Sequence, residues 1–143
     1  MADSPSTLEV DIVSAEGEIF SGAASMLFAP ASQGDLGIYP RHAPLLTLLK
    51  AGEVRVVTPD GQEHYFFVGG GALEVQPHKV TVLADTALRA KDLDEAAAVA
   101  AKQRVEAALK DKTDRATEAE LLAELTRFTE QLKMIERLRK LRG

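Results

Sequence analysis

Cysteine and asparagine are both missing from the 143 residues. The first absence excludes disulfides, thiolate metal sites and cysteine nucleophiles, and the second removes any N-glycosylation sequon. No apolar run approaches the ~20 residues that a helix needs to cross a bilayer. The opening Met1-Ala2-Asp3-Ser4-Pro5 has neither the basic nor the apolar part of a signal segment. The chain is therefore expected to be soluble and untargeted, with any membrane association made through a partner. A formal net charge of −5 disfavours nucleic acid as that partner.

Turn formers and aromatics are scarce in a more local sense. All six prolines lie before Asp92, as do nine of the ten glycines and six of the seven aromatics, leaving Gly143 and Phe128 beyond it. Charge divides at about the same place. Residues 1–86 carry four basic and eleven acidic side chains, a net of −7, and residues 87–143 carry thirteen and eleven, a net of +2. The last stretch, 127–143, holds six basic and two acidic residues, a net of +4. An acidic, turn-rich first part thus precedes a second part rich in Ala, Glu, Lys and Leu, the composition of helices.

In the first part, Leu8-Glu9-Val10-Asp11-Ile12 alternates apolar and polar side chains, the pattern of a half-buried strand. Further strands are expected at Glu18–Phe20, Ala24–Ala29, Glu53–Thr58, Glu63–Val68, Ala72–Gln76 and Lys79–Ala84. Thr58-Pro59-Asp60-Gly61 supplies a proline that presets φ and a glycine that accepts positive φ, so it should close a hairpin between Val54–Val57 and Tyr65–Val68. Many short strands with frequent turns indicate a sandwich or barrel. In the second part, Asp92 stands three residues before Glu95 as an acidic version of a capping box, and Thr117-Glu118-Ala119-Glu120 supplies another. The first helix should run to Leu109 or Lys110, with an inward face of Ala96, Ala97, Ala100, Ala101, Ala107 and Ala108. The second carries Leu121, Leu125, Phe128, Leu132 and Ile135 at alternating four- and three-residue spacing, a narrow seam. The expected architecture is an N-terminal antiparallel β-sandwich, residues 1–86, followed by a C-terminal antiparallel α-helical hairpin, residues 87–143.

Enzyme and nucleotide motifs fail. Gly69-Gly70-Gly71 is followed by a strand and not by a helix whose N-terminus would hold phosphate, so a bulge or a tight crossing of strands is the better reading. His42, His64 and His78 have no metal-ligand spacing, and Ser21, Ser25 and Ser32 lie in no nucleophile elbow. A small enzyme built on Asp35 and His42 stays open only if the two side chains converge in a pocket. The basic run Arg127, Lys133, Arg137, Arg139, Lys140 and Arg142 reads either as a solvated helix face or as a surface for an acidic protein. A generic helical adaptor is a further alternative.

Two segments carry a resemblance. One is Gly34-Asp35-Leu36-Gly37-Ile38-Tyr39-Pro40-Arg41-His42-Ala43-Pro44-Leu45-Leu46-Thr47, and the other runs from Gly69-Gly70-Gly71-Ala72-Leu73-Glu74-Val75-Gln76-Pro77 into Val80–Ala87. With Asp92-Leu93-Asp94-Glu95-Ala96, and with Val13-Ser14-Ala15-Glu16 and Phe20-Ser21-Gly22 near the start, they make nearly the whole chain similar to the epsilon subunits of bacterial F-type ATP synthases. The resemblance implies a non-catalytic subunit of the central stalk, without a cofactor, on the cytoplasmic face of the plasma membrane. It implies partners in the gamma subunit, the c-ring and the alpha/beta catalytic head. Gln33, Asp35 and His42 match the loop that faces the c-ring; Arg41 stands at the rim of that loop, where the family usually has glycine. The hairpin matches an inhibitory element that lies retracted on the sandwich or extends along gamma, where its basic residues would meet an acidic loop of beta. The ATP motif that some members carry is degenerate here: Leu93, Asp94 and Ala98 match it, but Ala97 replaces its arginine. Weak or no ATP binding is expected, because the cation that would face phosphate is missing.

Overall fold

The computed structural model describes residues 7–111 and 118–141. The chain divides into two compact units, residues 1–90 and 91–143.

The first unit is built from eight strands: β1 (Leu8–Ser14), β2 (Gly17–Ala24), β3 (Met26–Ala31), β4 (Gly34–Ile38), β5 (Leu45–Val57), β6 (Glu63–Val75), β7 (Lys79–Ala84) and β8 (Ala87–Arg89). Their order is β2-β1-β7-β6-β5-β3-β4, with β8 on β6. The alternation in β1 places Leu8, Val10 and Ile12 in the core, where they join Leu27, Ile38, Val54, Val56, Phe66, Val68, Leu73, Val75, Val80 and Val82. All pairs are antiparallel except β1 with β7, which runs parallel over Glu9–Val13 and Lys79–Leu83.

Two 13-residue strands make this one sheet into two layers. β6 pairs with β8 through Phe66–Val68 and with β7 through Gly71–Val75, so it changes partner at Gly69–Gly70. Gly70 has φ 109 and Gly71 φ 137. A Cβ on Gly71 would lie 2.1 Å from the Leu83 carbonyl oxygen and 2.9 Å from the Ala84 Cα. The glycine triplet is thus a close backbone crossing, as its sequence context indicates. Sequence periodicity misses β4, whose glycines at 34 and 37 disguise it, and the first half of β5, where leucines occupy both faces. It also divides β6 in two at the glycines. β8 lies beyond the expected boundary at residue 86 and belongs to the sandwich by its pairing with β6.

The Thr58–Gln62 turn forms as expected. Gly61 donates to the Thr58 carbonyl at 2.9 Å and has φ 86, while the Asp60 carboxylate accepts from the Thr58 hydroxyl and the Gln62 amide. These bonds, the hydroxyl first, hold the Asp60 carboxyl below its ordinary range.

The second unit holds α1 (Glu95–Lys110) and α2 (Glu118–Leu141). The N-cap of α1 is Asp94, whose Oδ1 accepts from the Ala97 amide at 3.1 Å. Asp92 instead ends a 3₁₀ turn over Ala90–Asp92. The cap therefore falls two residues later than the capping-box reading placed it. The buried face also differs: Ala98, Ala101 and Val105 are buried, while Ala96, Ala97, Ala100, Ala107 and Ala108 are exposed. The inward stripe starts from the true cap, and its 3–4 spacing excludes those five alanines. On α2 the seam Leu121, Leu125, Phe128, Leu132 and Ile135 is half-buried, and Met134 is the buried residue. Arg139 near the end of α2 bonds Glu95 at the start of α1, which defines an antiparallel pair. Thr117 of the second capping box lies outside the described residues.

Candidate functional site: partner-docking surfaces

The loop residues singled out from sequence occupy two places. Gln33 lies in the β3–β4 turn and Asp35 at the start of β4; both are exposed. Arg41 and His42 follow the other end of that strand. Gly34 pairs with Ala31 and Ile38 with Leu27, so the two groups are separated by the length of β4, about 13 Å. Asp35 and His42 do not converge, and the enzyme reading of this pair is overturned. The His42 ring meets the Ala43 carbonyl through Nδ1 at 2.7 Å, an imidazole anchored to its own loop. No cluster of three or more His, Cys, Asp or Glu able to hold a metal occurs among the described residues.

The Tyr39–His42 segment is a tight turn. His42 donates to the Tyr39 carbonyl at 3.2 Å, and Arg41 donates its amide to the Pro77 carbonyl at 2.9 Å. The second bond ties this turn to the β6–β7 turn, where Gln76 and Lys79 exchange backbone bonds. Tyr39 is 53% exposed, with its ring edge-on to Phe28 at 6.4 Å. Phe28 also lies 4.2 Å beneath the Arg55 guanidinium, which bonds Glu63 at 3.0 Å.

A surface that sequence reading missed lies on the outer face of β5, β6, β7 and β1. Leu48 is opposite Ala72, Ala72 opposite Leu83, and Leu83 opposite Val13. This apolar row crosses four strands, about 14 Å at ordinary strand spacing. Leu46, Leu48 and Leu83 are 75%, 65% and 51% exposed. The available signal was Leu45-Leu46-Thr47-Leu48-Leu49, which puts leucine on both faces of one strand, more than a one-sided core requires. Polar residues border the row. Asp11 accepts from the Ser21 hydroxyl at 2.8 Å and from Lys79 at 3.1 Å. The Ser21 bond, then the lysine, lowers the Asp11 carboxyl below its usual range.

On the helices, the basic residues are largely paired within the unit. Arg127 meets Glu124 at 3.8 Å, Lys133 meets Glu130 at 3.1 Å, Lys140 meets Glu136 at 3.6 Å, and Arg139 meets Glu95. Arg137 also has a partner, and Arg142 lies outside the described residues. Pairs this exposed contribute about 0–1 kcal/mol each and exchange readily for others. At the degenerate ATP motif, Leu93 is half-buried, the Asp94 carboxylate is engaged as the helix cap, Ala97 is exposed and Ala98 is buried. No described helix is long and apolar enough to cross a membrane.

The model of the ATP synthase delta/epsilon chain beta-sandwich domain matches residues 7–90. An ATP synthase epsilon chain from Nitrosococcus oceani is 62% identical over 137 residues, which span 96% of this chain and 98% of that one. The chain belongs to the ATP synthase epsilon family. Another epsilon chain, from Halorhodospira halophila, is 57% identical over 94% of this chain and 96% of its own. The fold is similar to a chain in the cryo-EM structure of the Euglena gracilis mitochondrial ATP synthase, OSCP/F1/c-ring. That match has a TM-score of 0.80 at 15% identity and covers 94% of this chain and 84% of that one. A chain of the Tetrahymena thermophila mitochondrial ATP synthase central stalk/c-ring matches with a TM-score of 0.59 at 12% identity. As an epsilon-family member the protein is an accessory subunit of the ATP synthase complex and is not itself catalytic.

Proposed function

We propose that this chain is the central-stalk epsilon subunit of a bacterial proton-translocating ATP synthase, peripheral to the cytoplasmic face of the plasma membrane. The sandwich joins gamma to the c-ring, and the helical hairpin restrains ATP hydrolysis at the alpha/beta head. The observation that carries the docking part is the outer-face row of Leu48, Ala72, Leu83 and Val13, in which the two leucines are exposed and Ala72 and Val13 half-buried, with exposed Leu46 beside it. Apolar side chains contiguous across four strands mark a face that a protein partner covers, and gamma is the partner assigned to it. Gln33, Asp35, Arg41 and His42 remain contact residues for the c-ring or gamma. Because β4 separates them into two groups, contact by all four requires two partners or one that reaches along the strand. Membership of a stalk assembly is supported by the solved neighbours, whose structures are of the F1/c-ring and the central stalk/c-ring.

The inhibitory part is supported by the cationic end of α2 and by the small buried side chains of α1. Ala98 and Ala101 seat the helices with little buried area each. Weak or no ATP binding belongs to the same reading, because Ala97 offers no cation to phosphate.

Removing residues 91–143 tests the inhibitory role while keeping β8 on β6. Complexes assembled with the truncated chain should hydrolyse ATP faster than those with the full chain. Equal hydrolysis rates would refute inhibition by the helices and leave the docking role standing.

A further inference from the structure

We propose that Arg41 is a specificity-determining contact whose guanidinium pairs with a carboxylate on the protein facing the Tyr39–His42 end of the sandwich. This rests on the reading of the chain as a stalk subunit and adds the chemistry of one of its contacts.

The backbone singles this residue out. Arg41 is the one non-glycine residue with positive φ among the described residues, at 68. The turn has Pro40 at its second position, Arg41 at its third, and the His42 amide returning to the Tyr39 carbonyl at 3.2 Å. Those are the features of a type II turn, whose third position suits glycine and strains a side chain with a Cβ. The conformation is held from outside, because the Arg41 amide is bonded to the Pro77 carbonyl at 2.9 Å. The root of a long cationic side chain is therefore fixed at a place where the fold itself would favour no side chain.

Nothing within the described sandwich uses the guanidinium. Arg55 has Glu63 at 3.0 Å and the Phe28 ring, and Lys79 has Asp11 at 3.1 Å. Arg41 is exposed and has no acidic partner among the described residues. His42 adjoins it, and the bond to Pro77 brings up the turn that carries exposed His78. An acidic domain thus presents nitrogen-bearing side chains at this end, which suits an anionic group.

A guanidinium fork matches carboxylate and phosphate alike. The carboxylate is favoured because anionic membranes are held by clusters of about 4–8 basic residues, whereas residues 1–86 carry a net of −7. A surface of that sign is repelled from anionic lipid, and a single arginine does not reverse it. One fixed fork suits one carboxylate on a protein.

The test uses the full chain rebinding to ATP synthase membranes from which it has been removed, at low and high salt. Arg41→Gly should bind about 2–5-fold more weakly at low salt and show a shallower salt dependence. Arg41→Glu should bind more weakly still, and Arg41→Lys should recover part of the loss. The melting temperature of Arg41→Gly should stay level or rise, which separates lost contact from lost fold. Unchanged affinity and salt dependence in Arg41→Gly overturn the proposal while wild-type rebinding keeps the stalk reading. Failure of the wild type to rebind overturns both. Arg41-dependent binding to phosphatidylglycerol vesicles, absent with phosphatidylcholine vesicles, overturns the carboxylate in favour of lipid phosphate.

Discussion

Single atoms at two positions decide much of the sandwich. Gly71 has room for a hydrogen and nothing larger, since a Cβ would press into the Leu83 carbonyl and the Ala84 backbone at φ 137. Neither neighbour is a flexible side-chain end, so relief requires moving β7 away from β6. Gly71→Ala should destabilise the protein by about 3 kcal/mol or more, combining overpacking with a strained backbone, as read by urea unfolding. Asp11 acts through charge. Its carboxyl is held low by the Ser21 hydroxyl and then by Lys79, so the folded state favours the ionised form. That contribution is complete above the ordinary value of 3.8 and fades as pH falls through the lowered folded value. Asp11→Asn should cost about 0.5 kcal/mol at neutral pH. The gap from wild type should close progressively as unfolding is measured from pH 5 down to about pH 3. A gap that stayed constant over that range would show that the carboxylate charge is not what matters.

Elements inherit their limits from their ends and seams. α1 begins at Glu95 because Asp94 turns its carboxylate back to the Ala97 amide, satisfying one of the donors that a helix start leaves open. Asp94→Ala should cost about 1 kcal/mol locally. Amide exchange in the first turn of α1 should speed up about fivefold, with β-strand amides unaffected. If the amides of Ala97 and Ala98 exchanged at the wild-type rate, the cap would carry no weight. The hairpin buries few large side chains, with Ala98, Ala101, Val105 and Met134 as its buried set. Helices of 16 and 24 residues amount to about 60 Å end to end when opened. On α2 the leucines, Phe128 and Ile135 of the seam are only half-buried against the small Ala98 and Ala101 of α1, so the pair opens at less cost than one with fully buried leucines on both helices, which is what the proposed regulatory role requires. β5 and β6 show the opposite principle: long strands survive a change of layer because glycines stand where the backbone turns.

At the scale of the molecule, the same sheet has one face in the core and another bearing leucines. Leu48→Glu and Leu83→Glu should each weaken binding to gamma at least tenfold, because a leucine covered by a partner contributes about 1.5–3 kcal/mol. Both side chains are more than half exposed, so unfolding free energy should move by no more than about 0.5 kcal/mol. Normal gamma binding by both variants would take the docking face away from β5–β7. A large loss of stability in either would show instead that the leucines belong to the fold.

Much was legible in the residues alone. The confinement of proline, glycine and aromatics to the first part, with alternation in β1 and the Thr58–Gly61 turn, determines a strand-built unit followed by helices, because turn formers and helix formers exclude each other locally. The glycine triplet announces a crossing of strands for the same reason. Only the tertiary structure decided which residues meet. It set Gln33 and Asp35 apart from Arg41 and His42, because a strand places its two ends far from each other however close they lie in sequence. It aligned Leu48, Ala72, Leu83 and Val13 from four strands into one row, because register is a property of pairs of strands and no single strand contains it. It also gave Arg41 a left-handed backbone, since that angle is imposed by a bond to Pro77, a residue 36 positions away.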